Sequence, residues 1–293
     1  MADTLFTNPS WPFAAAVFNA RRDTLLKDEQ YERLLTQKGE GLVRALCEMG
    51  YGKGDAQQQT SIKALTEASI SSLRETLYKT VPDTSVTDLF FIEFDAHNIK
   101  VILKSRLLER DCDEYLSKNG TIDCDLIKVC ASADEFSTLG DAFVPLADLG
   151  GERDAQKISA AVDRACYLHL FTLLKKKNLP LFDEYFAVKA KYTNALTKIR
   201  AERLGFSEEL TASLLIPEGN AKYQIDLRAE SVEAIELERE RVCASLLYSH
   251  RNDTDGPAAT AHYISQKLLE ARNVRIIDAL GEEAAPLLVT GNR

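Results

Sequence analysis

The chain is poor in the residues that interrupt helices. Only 8 prolines and 14 glycines occur in 293 residues, and they gather between periodic segments. Alternating apolar and polar positions, the mark of a half-buried strand, are almost missing. The pentapeptide Tyr-Gln-Ile-Asp-Leu at 223–227 is the one short candidate, too weak to carry a sheet. No stretch approaches the ~18 uninterrupted apolar residues that a bilayer span requires. The N-terminal Met-Ala-Asp-Thr-Leu-Phe-Thr-Asn-Pro has no basic region followed by an apolar run, so it reads as lacking a signal peptide.

Cationic excess is also missing. Lys+Arg total 36 against 45 Asp+Glu, a net charge of -9, which disfavours a nucleic-acid partner. The six cysteines make no Cys-x-x-Cys pair, and His97, His169, His250 and His262 stand at no zinc spacing from them. Glu93, Asp95 and His97, spaced by two on a helix, cannot converge on an ion. No metal and no cofactor is therefore expected, and free cysteines suit a reducing cytoplasm. Cys166 and Cys243 read as small buried apolar residues. There is no phosphate loop of the Gly-x-x-x-x-Gly-Lys-Ser/Thr type, and Gly50-Tyr-Gly-Lys-Gly54 follows no strand, so it reads as a helix stop. Ser213, Cys243 and the histidines show no nucleophile setting.

Helical periodicity dominates, and the chain is long enough for a large core. Ser10 with Pro12 starts a helix that the pattern carries over 13–35, with a break near Lys27 and Asp28. Further helices are predicted over 39–49, from a cap at Thr60, from Thr84 or Ser85 to about Leu108, from Asp154 to about Lys177, over 181–203, from Ser207, over 231–248 and over 258–280. The piece 112–151 is less regular, with short helices predicted near 124–130 and 134–139. The fold class is all-α.

Two distant stretches repeat one another: Asp95-Ala-His-Asn98-Ile-Lys-Val-Ile102 and Glu270-Ala-Arg-Asn273-Val-Arg-Ile-Ile277. A worn third copy is Lys191-Tyr-Thr-Asn194-Ala-Leu-Thr-Lys198. Residues three and four apart share a helix face, so Asp95, Asn98 and Ile102 line one stripe, flanked by Phe91, Phe94 and Val101. An amide among aliphatics is at least partly buried and needs hydrogen-bond partners. Helix packing is the plainer role for these asparagines; direct contact with a partner is the other. The spacings, 96 residues from Asn98 to Asn194 and 79 from Asn194 to Asn273, predict three helical units within one body over 1–293, roughly 1–112, 113–215 and 216–293. A repeated motif argues against one asymmetric catalytic cluster.

These residues resemble the C subunit of V/A-type rotary ATPases, called the d subunit in eukaryotes. Phe94-Asp95-Ala-His97-Asn98-Ile-Lys100-Val-Ile-Leu103-Lys104 resembles that family's aspartate–asparagine helix. Asn19-Ala-Arg21-Arg22-Asp-Thr-Leu25-Leu26 is similar to its opening helix, and Leu42-Val-Arg-Ala-Leu46-Cys-Glu-Met-Gly-Tyr51-Gly52 to the segment after it. Tyr263-Ile264 with Glu270-Ala-Arg-Asn273-Val-Arg275-Ile-Ile277 resembles the final helix. The likeness is thin but runs along nearly the whole chain. In the middle copy Lys191 stands where the family favours an acid, while Asn194 and Arg200 stand where asparagine and arginine belong. The chain is also short for the family.

The resemblance implies three units around a pseudo-threefold axis, forming a funnel. It implies a non-catalytic rotor part on the cytoplasmic face of the membrane, between the proteolipid (c/K) ring and the axle subunits D and F, coupling ion transport to ATP synthesis or hydrolysis. Asp95, Asn98, Lys104, Asn194, Arg200, Glu270, Asn273 and Arg275 are then the candidate packing or contact residues. The basic pair Arg21 and Arg22 is a candidate for docking, although solvated helix faces are the plainer reading of it, as of Lys175–Lys177 and of Arg239 with Arg241. The alternatives are a helical adaptor that binds another protein through an apolar groove, and a helical enzyme with an unrecognised site.

Overall fold

The computed structural model describes residues 9–52, 61–219 and 231–290. The fold is all-α: among those residues there are twelve α-helices, several 3-10 turns and no strand. The helices are α1 (Trp11–Ala20), α2 (Asp28–Leu35), α3 (Glu40–Glu48), α4 (Ile62–Thr80), α5 (Thr84–Thr87), α6 (Ile92–Leu108), α7 (Cys124–Ala133), α8 (Ala155–Lys177), α9 (Pro180–Arg203), α10 (Glu208–Leu214), α11 (Val232–Tyr248) and α12 (Ala258–Leu280). The weak strand candidate at 223–227 lies outside the described residues.

Helix starts follow from orphan backbone donors meeting short side-chain oxygens. Ser10 Oγ accepts from Phe13 N–H at the head of α1, with Pro12 in the first turn. The Asp154 carboxylate accepts from Gln156 and Lys157 N–H at the head of α8, and Ser207 Oγ from Leu210 N–H at α10. Ser61 caps α4; the cap expected at Thr60 lies outside the described residues. Helices α6, α7 and α8 end on Glu109, Asp134 and Asn178, each with positive φ, which frees the chain to turn away.

Three expected spans are corrected. The helix over 13–35 stops at Ala20, and the break runs through a 3-10 turn (Arg22–Thr24) to Lys27. Within the broken span the hold is tertiary: Leu26 N–H is claimed by a distant carboxylate instead of a helical carbonyl. The long helix expected from Thr84 or Ser85 is also broken. Asp83 caps the one-turn α5, a 3-10 turn (Asp88–Phe91) follows, and α6 starts only at Ile92. Leu89, Phe90 and Phe91 in that turn are all buried, so packing overrides continuous periodicity. The helix expected over 134–139 is a 3-10 turn, Ser137–Leu139, after Asp134 has ended α7.

The chain forms two compact units. The first joins both ends, 1–90 with 240–293, and the second spans 91–239. In the first unit α12 packs against α1, α4 and the 3-10 turn Gly281–Leu287. Every residue of α12 from Ala258 to Gln266 is buried, so this half of the helix is enclosed on all sides. A core of Leu26, Tyr31, Leu34, Leu42, Leu46 and Leu65 lies with Val274 and Ile277 of α12. In the second unit α6 packs on α7 and α8, α8 on α9, and α10 on both α8 and α9. Helices α6, α9 and α12 carry the repeated asparagines.

Candidate functional site

Asn98, Asn194 and Asn273 are almost wholly removed from solvent. Each carboxamide grips both backbone groups of one later residue. Asn98 Nδ2 donates to Ser117 C=O at 2.9 Å, and Asn98 Oδ1 accepts from Ser117 N–H at 2.8 Å. Asn194 does the same to Ile216, at 2.9 Å for both bonds. Asn273 holds Val289, at 2.9 Å to its C=O and 3.4 Å to its N–H. The gripped residue lies 19, 22 and 16 positions downstream respectively. A carboxamide places one donor beside one acceptor, as a neighbouring strand would, so it satisfies a residue outside any helix that has no sheet partner.

The gripped segments are built alike. Each follows a helical or 3-10 turn whose C-cap is a leucine in extended conformation. The φ and ψ values are -72° and 142° at Leu116, -75° and 143° at Leu215, and -78° and 140° at Leu288. Each of these leucines donates its N–H three residues back, to Asp113, Ala212 and Ala285. Leu25 repeats the geometry a fourth time, at -72° and 146° after the turn Arg22–Thr24. There the next N–H, of Leu26, is held by a carboxylate instead of an amide: Glu270 Oε2 accepts it at 2.6 Å.

A glycine closes two of the three segments. Gly120 stands three residues after Ser117, and Gly219 three after Ile216. A Cβ on Gly120 would lie 2.5 Å from Asp95 Oδ1 and 3.1 Å from Asn98 Nδ2. A Cβ on Gly219 would lie 2.6 Å from the Phe171 ring, at a residue whose φ is +61°. Gly120→Ala and Gly219→Ala are each expected to destabilise by about 2–4 kcal/mol, from overpacking and, at Gly219, added backbone strain. Chemical denaturation of the two variants checks this; a cost below about 0.5 kcal/mol, the ordinary surface range, would contradict the packing.

The acid three residues before the asparagine does a related job. Asp95 Oδ1 accepts from Thr121 N–H at 2.6 Å and Ile122 N–H at 2.9 Å, and Oδ2 from the Thr121 hydroxyl at 2.6 Å. Glu270 takes the Tyr51 hydroxyl and the Lys267 ammonium on Oε1 in addition to Leu26 on Oε2. The base two residues after the asparagine ties its helix to a long neighbour. Lys100 pairs with Asp163 of α8 at 2.5 Å, and Arg275 with Glu67 of α4 at 2.9 Å and with Thr66 Oγ1 at 3.1 Å.

The other sequence candidates stand apart from the grips. Arg200 pairs with Glu236 at 2.7 Å on an open surface. Lys104 is half-buried, and burial followed by Lys100 lowers its pKa. Arg21 donates to Thr76 Oγ1, and Arg22 to Asn252 Oδ1 and the Arg251 carbonyl. Glu93, Asp95 and His97 have separate partners: Glu93 meets Lys189 at 2.7 Å, and His97 Nε2 lies 2.9 Å from the Tyr115 carbonyl. Asp111, Cys112 and Asp113 offer ligand atoms within 4.8 Å of one another, but Lys128 already pairs with Asp113.

Chemically, the grips hold. The amides and acids at the motif positions are engaged with backbone, and burial pushes the Cys166 thiol and Tyr167 phenol far up, so both stay protonated at neutral pH. Sequence reasoning found the asparagines but missed Ser117, Ile216, Val289 and the two glycines. The signal was there: Leu116-Ser-Lys-Asn-Gly120 and Leu215-Ile-Pro-Glu-Gly219 share leucine and glycine at the same spacing.

A family described as ATP synthase (C/AC39) subunit matches residues 14–239. The chain is similar to the C subunit of the A-type ATP synthase of Thermococcus kodakarensis, at 27% identity over 188 residues, 59% of this chain and 50% of that protein. It is similar also to the C subunit of the A-type ATP synthase of Desulfurococcus sp., at 27% over 186 residues, 58% of this chain and 50% of that one. The chain thus spans about half the length of the curated relatives it matches.

Proposed function

From the premise that this chain belongs to the ATP synthase (C/AC39) subunit family, we propose that it is the C subunit of a V/A-type rotary ATPase, a non-catalytic rotor part. It joins the proteolipid ring to the axle of subunits D and F and turns with both, so that ion transport drives, or is driven by, ATP chemistry elsewhere in the complex. The family match carries this reading. No helix of the described residues is long and apolar enough to cross a membrane, which suits a part held at the cytoplasmic face by its partners.

The threefold recurrence of one grip supports a body of three related units forming a funnel, with boundaries near 112 and 215. Asn98 with Ser117 and Asn194 with Ile216 would then bind each of the first two units to the start of the next. A coupling piece must pass torque without yielding. Close-packed helices compress little, and backbone locked at both its donor and its acceptor cannot slide along the helix that holds it. In this reading Asp95, Asn98, Asn194, Glu270 and Asn273 keep the shape. Lys104, Arg200, Arg275, Arg21 and Arg22 are the cations among which docking contacts would be found, setting register by charge.

The test is a pull-down of the full chain with purified D–F axle at micromolar concentration, beside an ATPase assay of the chain alone. Retention of the axle with no ATP turnover is the expected result. Failure to retain the axle, or turnover by the isolated chain, would overturn the proposal.

A further inference from the structure

In the first unit a partly open cavity of about 10 Å³ lies between α12 and the segments it holds, lined by Leu26, Gln266, Leu269, Glu270, Val289 and the exposed Thr290 among others. Gln266 is 8% exposed, and its Nε2 is buried without a hydrogen-bond partner among the protein atoms. A buried amide donor left unmet is costly, and native interiors rarely keep one. The neighbouring Glu270 carboxylate is 3% exposed, with Tyr51 and Lys267 on Oε1 but only Leu26 N–H on Oε2. One acceptor direction of Oε2 is therefore unspent, and Gln266, with its unmet donor, lines the same space.

We propose that this cavity is a binding site for one ordered water, which accepts from Gln266 Nε2 and donates to Glu270 Oε2. The size fits: a single water needs about 10–15 Å³ of such space and two to four polar partners. An apolar cavity of this size would stay dry, but Gln266 and Glu270 are among the residues that line this one. An alkali cation fits worse. Its ligands must be oxygens, whereas the amide offers a donor and the Lys267 ammonium already balances the carboxylate.

The position gives the water a structural task. It sits where α12, the Leu25–Leu26 segment and the Val289–Thr290 segment meet, beside both the Glu270 cluster and the Asn273 grip. It would complete the hydrogen bonding of Gln266 and of Glu270, the residue that holds Leu26 N–H, and stiffen the joint between two segments far apart in sequence. This inference is independent of the proposed rotor function.

Two measurements on the full chain test it. A high-resolution crystal structure should contain a water within hydrogen-bond distance of both Gln266 Nε2 and Glu270 Oε2. An empty cavity, a bound cation, or a Gln266 amide turned onto protein groups would overturn the proposal. In solution, Gln266→Leu should lose one long-lived water by oxygen-17 relaxation dispersion and should lower Tm by about 2–4 °C, the shift that one lost hydrogen-bonded bridge produces in a chain of this size. If Nε2 is merely unsatisfied, the same substitution removes an unmet donor, so an unchanged or raised Tm with an unchanged water count counts against the proposal. Should the variant fail to fold, the wild-type crystal structure decides alone.

Discussion

Asp95→Ala is expected to lower unfolding stability by about 3–5 kcal/mol, among the largest effects of any single substitution in the second unit. Asp95 is 1% exposed, and its carboxylate accepts from Thr121 N–H, the Thr121 hydroxyl and Ile122 N–H. Bonds to an ionised acceptor are roughly twice as strong as neutral ones. Alanine leaves two backbone donors and a hydroxyl without their acceptor. Asp95→Asn is the informative comparison. It keeps a carbonyl oxygen for the two N–H groups but gives up the charge, so about 1–2 kcal/mol is expected. Chemical denaturation gives the totals. Amide hydrogen exchange gives the location, with protection lost first at Thr121 and Ile122. A cost for Asp95→Ala below about 1 kcal/mol, or unchanged exchange at those two amides, would refute this account of the carboxylate.

The sequence revealed these positions unevenly, for physical reasons. Caps such as Ser10, Asp154 and Ser207 are readable because the capping oxygen meets a donor two or three residues away, within the span of local pattern. The asparagines are readable because the motif recurs. Their targets are not, because a partner 16 to 22 residues downstream is set by how a loop folds back, and no periodicity encodes that. The same holds for the segment between α1 and α2, where Leu26 N–H goes to a carboxylate 244 residues away in sequence. The break between α5 and α6 likewise follows from burying Phe90 and Phe91 and not from a helix-breaking residue. Function was legible at the level of the family, through the order of four short motifs that match a known subunit. Which side chains meet a partner was not legible, since exposed cations such as Arg200 look the same whether or not anything docks on them.

Glu270→Ala should cost about 3–5 kcal/mol, measured by the same denaturation, and it tests the matching position in the first unit. The carboxylate binds Leu26 N–H, the Tyr51 hydroxyl and the Lys267 ammonium, whose side chain is only 13% exposed. Removing it strands a nearly buried cation, a phenol and a backbone donor together. Glu270→Gln keeps an acceptor but leaves Lys267 uncompensated, so about 2–3 kcal/mol is expected; Tyr51→Phe, which loses one hydrogen bond, should cost about 1–2 kcal/mol. The double variant should fall short of the sum by at least about 0.5 kcal/mol, because one change weakens and the other removes the same contact. Alkali gives a second readout. Burial, and then the nearby Glu270 charge, hold the Tyr51 phenol well above its ordinary range. Above pH ~10 the unfolded chain releases that proton while the folded chain keeps it, so the unfolded state binds fewer protons and stability falls as pH rises. Tyr167, also raised by burial, adds to the same decline. Tyr51→Phe should therefore make the alkaline fall shallower while lowering stability at neutral pH. Strict additivity with Glu270→Gln, together with an alkaline limb unchanged by Tyr51→Phe, would mean that the two side chains do not share the bond that ties Tyr51, just after α3, to α12.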